Sequence, residues 1–122
     1  MQVSERRSGG VTVLDLKGRL VLEEGVPVLR ERIDRLVGAG HSNIVLNLAD
    51  VSYVDSCGIG LLIAKLVSVR RIGGDVRLAN LTSRSHHLLE ITRLLDVFLV
   101  FDSETDALAS YASNPPREPT RS

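Results

Sequence analysis

The stretch from Asn43 to Ile63 constrains the fold of this chain more than any other. It begins with an apolar run, Ile44 to Leu48, whose shortness and β-branched residues predict a buried strand. It ends with apolar positions at helical spacing, and a polar turn with two glycines lies between. A strand feeding such a turn at a helix N-terminus places a hydroxyl and backbone N–H groups at the carboxyl edge of a sheet. We therefore expect the functional site at this turn.

The rest of the chain alternates between strand and helix patterns. A turn at Ser8-Gly9-Gly10 predicts an opening hairpin, and Lys17-Gly18 is expected to end its second strand. A cap at Ser103 predicts the start of the last helix. Strands are predicted at 2–7, 11–16, 44–48, 76–80 and 97–101, and helices at about 23–39, 57–72, 83–91 and 104–111. This order predicts an α/β fold, a small mixed β-sheet with helices packed on it.

Length and composition predict one globular domain. A chain of 122 residues buries roughly 65% of its unfolded surface, enough for one core. Hydrophobic residues make up 43% and charged residues 25%, which excludes a disordered chain. Fifteen basic residues balance fifteen acidic ones, so no nucleic-acid partner is expected. We expect the domain to span residues 1–112, and the proline-containing segment 113–122 to be a disordered tail.

The same inventory argues against membrane insertion, metals and cofactors. The first ten residues are polar and charged, unlike a signal peptide, and no apolar run approaches the ~18 residues of a membrane span. We therefore expect a cytoplasmic protein. The single cysteine, Cys57, excludes an internal disulfide, and the three histidines lack ligand spacing. We expect neither a metal nor a cofactor.

Two interpretations of the turn residues follow from the residues alone. Ser56 is either the N-cap of the following helix or a modifiable hydroxyl, and Asp55 is an alternative cap. Asp50 is acidic near the same loop, although simple solvation explains it equally well. Gly58 and Gly60 are expected to allow tight turning and close helix–sheet approach, since they match neither a P-loop nor a GxGxxG fingerprint. No serine-hydrolase elbow or acid–base constellation is present, so an enzyme is the least favoured class.

The helix after the turn carries a possible docking face. A helical wheel predicts a core side and a solvent side, and the solvent side includes the apolar residues Leu61 and Ala64 one turn from Ser56. Such residues are either isolated exposed side chains, which are common, or part of a partner surface. The core side is predicted to hold Ile59, Leu62, Ile63, Leu66 and Val69, and the solvent side Leu61, Ala64, Lys65, Ser68 and Arg71.

The same turn resembles a known family. The segments Leu46-Asn47-Leu48, Val54-Asp55-Ser56 and Gly58-Ile59-Gly60, with Val51, resemble the signature of the STAS domain, the anti-sigma factor antagonist family, over about residues 1–111. In that family the Ser of this turn accepts a phosphoryl group, so the resemblance implies phosphorylation of Ser56. It also implies a partner surface, for which we select Asp50, Asp55, Cys57, Gly58, Leu61, Ala64 and Lys65.

The resemblance implies a regulatory binding module. The unphosphorylated protein would bind an anti-sigma factor, a GHKL-type serine kinase, and free a sigma factor; phosphorylation of Ser56 would prevent this. The alternative is a STAS subunit of a membrane transporter complex that uses the same helix as a structural contact. For Cys57, packing is favoured over redox sensing.

Overall fold

The computed structural model describes residues 1–116, and its elements follow the predicted order. Among these residues the α-helices are numbered α1 to α4 and the strands β1 to β5. The helices are α1 (Gly25–Gly38), α2 (Ser56–Arg71), α3 (Ser83–Ile91) and α4 (Glu104–Ser113), and a 3₁₀ turn spans Leu94–Asp96. The strands are β1 (Gln2–Ser8), β2 (Val11–Leu20), β3 (Asn43–Val54), β4 (Asp75–Ala79) and β5 (Val100–Phe101).

The five strands form one mixed sheet in the order β1-β2-β3-β4-β5. The opening hairpin makes β1 antiparallel to β2, and the other three pairings are parallel. Gly9 and Gly10 form the hairpin turn with φ of 53° and 81°, a region that side-chain-bearing residues rarely adopt. The mixed sheet was predicted from sequence, and the strand predicted to be buried, β3, is the central strand of the sheet.

Helices cover both faces of the sheet. The larger core packs α1, α2 and α3 against one face, and Leu14, Ile44 and Leu46 lie at its centre. The smaller core packs α4 against the other face through Val13, Val45 and residues of α4. Because successive strand residues point to opposite faces, Leu14 and its neighbour Val13 belong to different cores.

The central pair of strands is longer than predicted. β2 does not end at Lys17-Gly18 but continues to Leu20, and β3 continues to Val54. The two extensions pair with each other, and β3 contains one extra residue at each of two register shifts. Each such bulge disrupts the pairing of β2 with β3 only locally, and it bends the strand and increases its twist. Pairing therefore resumes beyond the positions where the alternation of apolar and polar residues is interrupted. As a result, the turn that we predicted from Asp50 onward begins only at Asp55.

The last strand is shorter than predicted. Residues 97–101 were predicted as a strand, but only Val100–Phe101 pairs with β4. Phe98 is buried in the larger core at the end of the 3₁₀ turn. The burial of Phe98 therefore reflects packing of the irregular chain that precedes β5 and not strand pairing.

A buried charge network attaches α4 to the sheet. The guanidinium of Arg77, in β4, donates to Asp75 Oδ2 at 2.9 Å, to Ser110 Oγ at 2.8 Å and to the carbonyl of Asn114 at 2.6 Å. It also stacks 4.0 Å from the ring of Tyr111. The Tyr111 hydroxyl accepts from the backbone N–H of Ile44 at 3.0 Å. Sequence patterning did not identify this network, because a charged strand residue is normally interpreted as exposed.

The predicted tail, 113–122, begins within α4, because Ser113 is the last residue of this helix. Residues 117–122 lie outside the described residues, so the tail stays a prediction there. We expect deletion of residues 117–122 to shift the melting temperature by less than ~2 °C. The hydrogen bonds of Arg77 that hold α4 on the sheet reach no further along the chain than the carbonyl of Asn114.

The control for this deletion is Ser103→Ala. The Ser103 hydroxyl caps α4 by accepting from Asp106 N at 3.1 Å, so its loss should cost about 1 kcal/mol, or roughly 4 °C. A drop beyond ~5 °C on deleting residues 117–122 would contradict the prediction.

Candidate functional site

The candidate site is the turn that joins the carboxyl end of β3 to the start of α2. Asp55 is the N-cap of α2: its backbone is extended, and its Oδ1 accepts from Gly58 N at 2.8 Å. This satisfies one of the N–H groups that the first turn of a helix leaves free. Of the two caps considered from sequence, the structure therefore selects Asp55 and not Ser56.

Asp55 also anchors the loop between β2 and α1. Its second oxygen, Oδ2, accepts from Leu22 N at 3.2 Å, and its own N–H donates to the carbonyl of Leu20 at 3.3 Å. The hydrogen bond from Gly58 N–H, with that from Leu22 N–H, holds the pKa of the Asp55 carboxyl below its ordinary value. The ionised carboxylate thus stabilises the turn above its ordinary pKa, and this contribution disappears as the pH falls through the lowered pKa.

Ser56 is the first residue of α2 and is exposed. Within residues 1–116 the Ser56 hydroxyl makes no hydrogen bond. The N-terminus of α2 is capped by Asp55 instead. The positive end of a helix dipole lies at this residue, which favours a negative group here. The arrangement offers an accessible hydroxyl where an added anion is tolerated.

The two glycines of the turn differ in what surrounds them. A Cβ on the buried Gly58 would lie 2.3 Å from the Leu20 carbonyl oxygen and 2.9 Å from Val54 Cγ1. Gly58 therefore allows the close approach of α2 to β2, as predicted. A Cβ on Gly60 would meet nothing within 4 Å, so the same expectation for Gly60 is wrong. The neighbouring Cys57 is half-buried against the larger core.

The orientation of α2 differs from the predicted wheel. Leu61 was predicted to face water, but it is only 3% exposed and belongs to the larger core. Ile63 was predicted in the core, but it is 37% exposed. Most positions of α2 are apolar, so periodicity alone left its rotation poorly determined. Contact of Gly58 with Leu20 turns the helix so that Leu61 faces the sheet.

Three other predicted site residues are now placed. Ala64 is exposed, as predicted. Lys65 contacts Asp34 of α1 at 2.5 Å, so its ammonium lies between two helices. Asp50 is exposed within β3, beside Lys17 in the ladder. Asp50 and Asp55 are five positions apart, which is roughly 15 Å along a strand, so Asp50 is separate from the turn.

Shallow cavities flank the turn. One of about 390 Å³ lies beside Asp55 and is lined by the β2–α1 loop, including the exposed Leu22. Another of about 190 Å³ lies between the end of β3 and α3 and includes Tyr53 and Ile91. Within residues 1–116, no three His, Cys, Asp or Glu side chains are grouped so as to hold a metal ion. No helix in that part of the chain has the length and apolarity to cross a membrane.

Comparison with known sequences identifies similar proteins. An anti-sigma-B factor antagonist of Bacillus subtilis is 39% identical over 71 residues, which cover 58% of this chain and 64% of that relative. An anti-sigma F factor antagonist of Paenibacillus polymyxa is 23% identical over 108 residues, 88% of this chain and 92% of the relative. The match to the Bacillus protein therefore spans just under two thirds of its length.

The fold also matches solved structures. One is the Bacillus cell fate determinant SpoIIAA in its phosphorylated form, with a TM-score of 0.69 and 19% identity over 88% of this chain and 97% of that one. At this identity the comparison shows a shared fold. The family model of the STAS domain matches residues 2–107, which include all five strands and the turn at Asp55. The chain belongs to the STAS domain family.

Proposed function

We propose that this protein is an anti-sigma factor antagonist of the cytoplasm, controlled by phosphorylation of Ser56. The unphosphorylated form binds an anti-sigma factor and so releases a sigma factor. A GHKL-type serine kinase, the anti-sigma factor itself, phosphorylates Ser56 and ends the binding. The observation that carries this proposal is the exposed Ser56 hydroxyl, which lies at the first residue of α2 while Asp55 performs the capping.

The similar sequences favour this function over the alternative, a STAS subunit of a membrane transporter complex. The fold by itself does not separate the two, since a binding module of this shape suits either. The relatives from Bacillus subtilis and Paenibacillus polymyxa are both named anti-sigma factor antagonists. The turn also fits a regulatory binding protein, because Asp55 caps α2 and positions the β2–α1 loop and does not form an acid–base pair.

The switch follows from charge at one exposed hydroxyl. A phosphoryl group on Ser56 adds about −1.5 to −2 charges at pH 7. The helix N-terminus offsets this by roughly 0.3–1 kcal/mol, so the fold survives. Asp55, one residue away, adds a further negative charge. A partner that docks on the neutral hydroxyl would have to desolvate this charge without a counter-ion, which costs several kcal/mol.

The remaining site residues have different roles in this proposal. Asp55 positions the turn and the β2–α1 loop, and Gly58 allows α2 to approach β2. Cys57 supports the turn from the core side. Ala64 supplies exposed surface on α2 beyond Ser56.

Ser56→Asp is expected to weaken binding to the anti-sigma factor at least about tenfold, or about 1.4 kcal/mol, whereas Ser56→Ala keeps it. The matched control is Ser83→Asp, because Ser83 is also an exposed first residue of a helix whose preceding residue supplies the cap. Binding is measured by calorimetric titration against a purified anti-sigma factor kinase from the same organism. Incubation with that kinase and ATP, followed by mass spectrometry, maps the phosphorylated residue.

Two results would contradict the proposal. One is phosphate mapped to a residue other than Ser56. The other is equal affinity of the Ala and Asp variants, with Ser83→Asp also unchanged, which would favour the transporter-subunit alternative.

A further inference from the structure

The exposed side of α2 carries an apolar ridge in line with Ser56. Ile63 and Val67 are 37% and 45% exposed, and they lie one turn apart on the same helix. At 3.6 residues per turn, Ile63 and Val67 point about 20° to either side of the Ser56 direction. With a rise of 1.5 Å per residue, they lie about 10 and 16 Å from it along the axis. We call Ser56, Ile63 and Val67 the α2 ridge.

The α2 ridge is free of charge along its length. The exposed positions of α2 between Ser56 and Arg71 are all uncharged: Gly60, Ile63, Ala64, Val67 and Ser68. Lys65 lies on the opposite side of the helix and contacts Asp34 of α1. Arg70, whose side chain is 40% exposed, lies beyond Val67 at the end of the stripe and pairs with Asp75. One quarter of the whole sequence is charged, so an uncharged stripe of this length is unusual for a solvated helix face.

We infer that the α2 ridge is the apolar centre of the surface that receives the anti-sigma factor, and that the partner presents a matching uncharged, apolar patch. This inference rests on the proposed function and specifies its docking surface. It replaces the surface expected from sequence, in which Leu61 and Lys65 were contacts. The exposed Leu22 and Ile91 also flank the turn but lie on other elements, whereas Ile63 and Val67 lie on the same helix and the same side of it as Ser56.

The ridge also explains why one modification would suffice as a switch. Ser56 is the end of the ridge and is one helical turn from Gly60, so a partner covering Ile63 and Val67 would also cover the Ser56 hydroxyl. A phosphate there would be removed from water by a surface that offers it no cation. Burial of such a charge opposes docking even though the ridge itself is unchanged.

The test substitutes the ridge without disturbing the core. Ile63→Gln and Val67→Gln keep helix-compatible side chains at exposed positions. The matched controls are Val28→Gln on α1, which is also 37% exposed, and Ile91→Gln on α3, which is 62% exposed. Each variant is titrated against the same anti-sigma factor, and circular dichroism melts establish that it is folded.

We expect each ridge variant to lose at least about tenfold in affinity, as buried anchor residues do, and each control variant to stay within about twofold. Ridge variants that bind like wild type, while Ser56→Asp still weakens binding, would overturn the ridge and leave the proposed function standing. Failure of the wild-type protein to bind the anti-sigma factor would overturn both.

Discussion

Replacing Asp75 by Ala is expected to lower the free energy of unfolding by about 3–5 kcal/mol, since it leaves a buried guanidinium without its counter-ion. Arg77 is only 1% exposed, and its Nε donates to Asp75 Oδ2 at 2.9 Å. The remaining acceptors, Ser110 Oγ and the Asn114 carbonyl, are neutral and cannot balance the charge. Desolvation of the lone cation would therefore act against folding and would loosen α4.

Urea denaturation measures this effect. The double variant Asp75→Leu with Arg77→Met removes both charges and should lose less stability than Asp75→Ala alone. The surface control is Glu31→Ala, whose exposed ion pair with Arg35 should contribute less than ~0.5 kcal/mol. A loss below ~1 kcal/mol for Asp75→Ala would show that water or backbone rearrangement compensates Arg77.

Gly58→Ala is expected to destabilise the protein by about 3 kcal/mol, at the upper end of the usual range for overpacking. The added Cβ would lie 2.3 Å from the Leu20 carbonyl oxygen, a backbone atom that cannot move aside as a side chain can. Relief requires α2 to move away from β2, which also disturbs the hydrogen bond from Asp55 N to Leu20 O. The turn that presents Ser56 would therefore be displaced.

The matched control is Gly60→Ala, two residues along the same helix. Its Cβ would meet nothing within 4 Å, so the gain in helix propensity should stabilise the protein by about 0.5–1 kcal/mol. Thermal melts of the two variants should therefore shift in opposite directions from wild type. Equal shifts would mean that Gly58 is not held against Leu20 in solution.

The local organisation of the site was predictable from sequence. The apolar run after Asn43, the polar turn and the apolar helix are contiguous, and their periodicities are strong enough to indicate strand and helix. The Asp55-Ser56-Cys57-Gly58 pattern also located the helix start within one residue. The identity of the cap was left open, because Asp and Ser are both good N-caps and only backbone geometry decides between them.

Other features were not predictable from periodicity. The extensions of β2 and β3 exist because each strand pairs with the other past two bulges, which interrupt the alternation of side chains. The rotation of α2 depends on contact between Gly58 and Leu20, two residues far apart in the chain. The apolar residues of α2 fit several rotations, so the exposure of Ile63 could not be deduced from the helix alone.

By itself the sequence determined the order of the elements, the mixed sheet and the turn that carries Ser56, because these follow from the side-chain pattern of neighbouring residues. Tertiary structure alone decided that Asp55 binds the N–H of Leu22, 33 residues earlier, and that Arg77 is buried beneath α4. It also decided that Ile63 and Val67 project on the side of Ser56. Such features depend on contacts between distant segments, and a local pattern of apolar and polar residues does not specify which segments will meet.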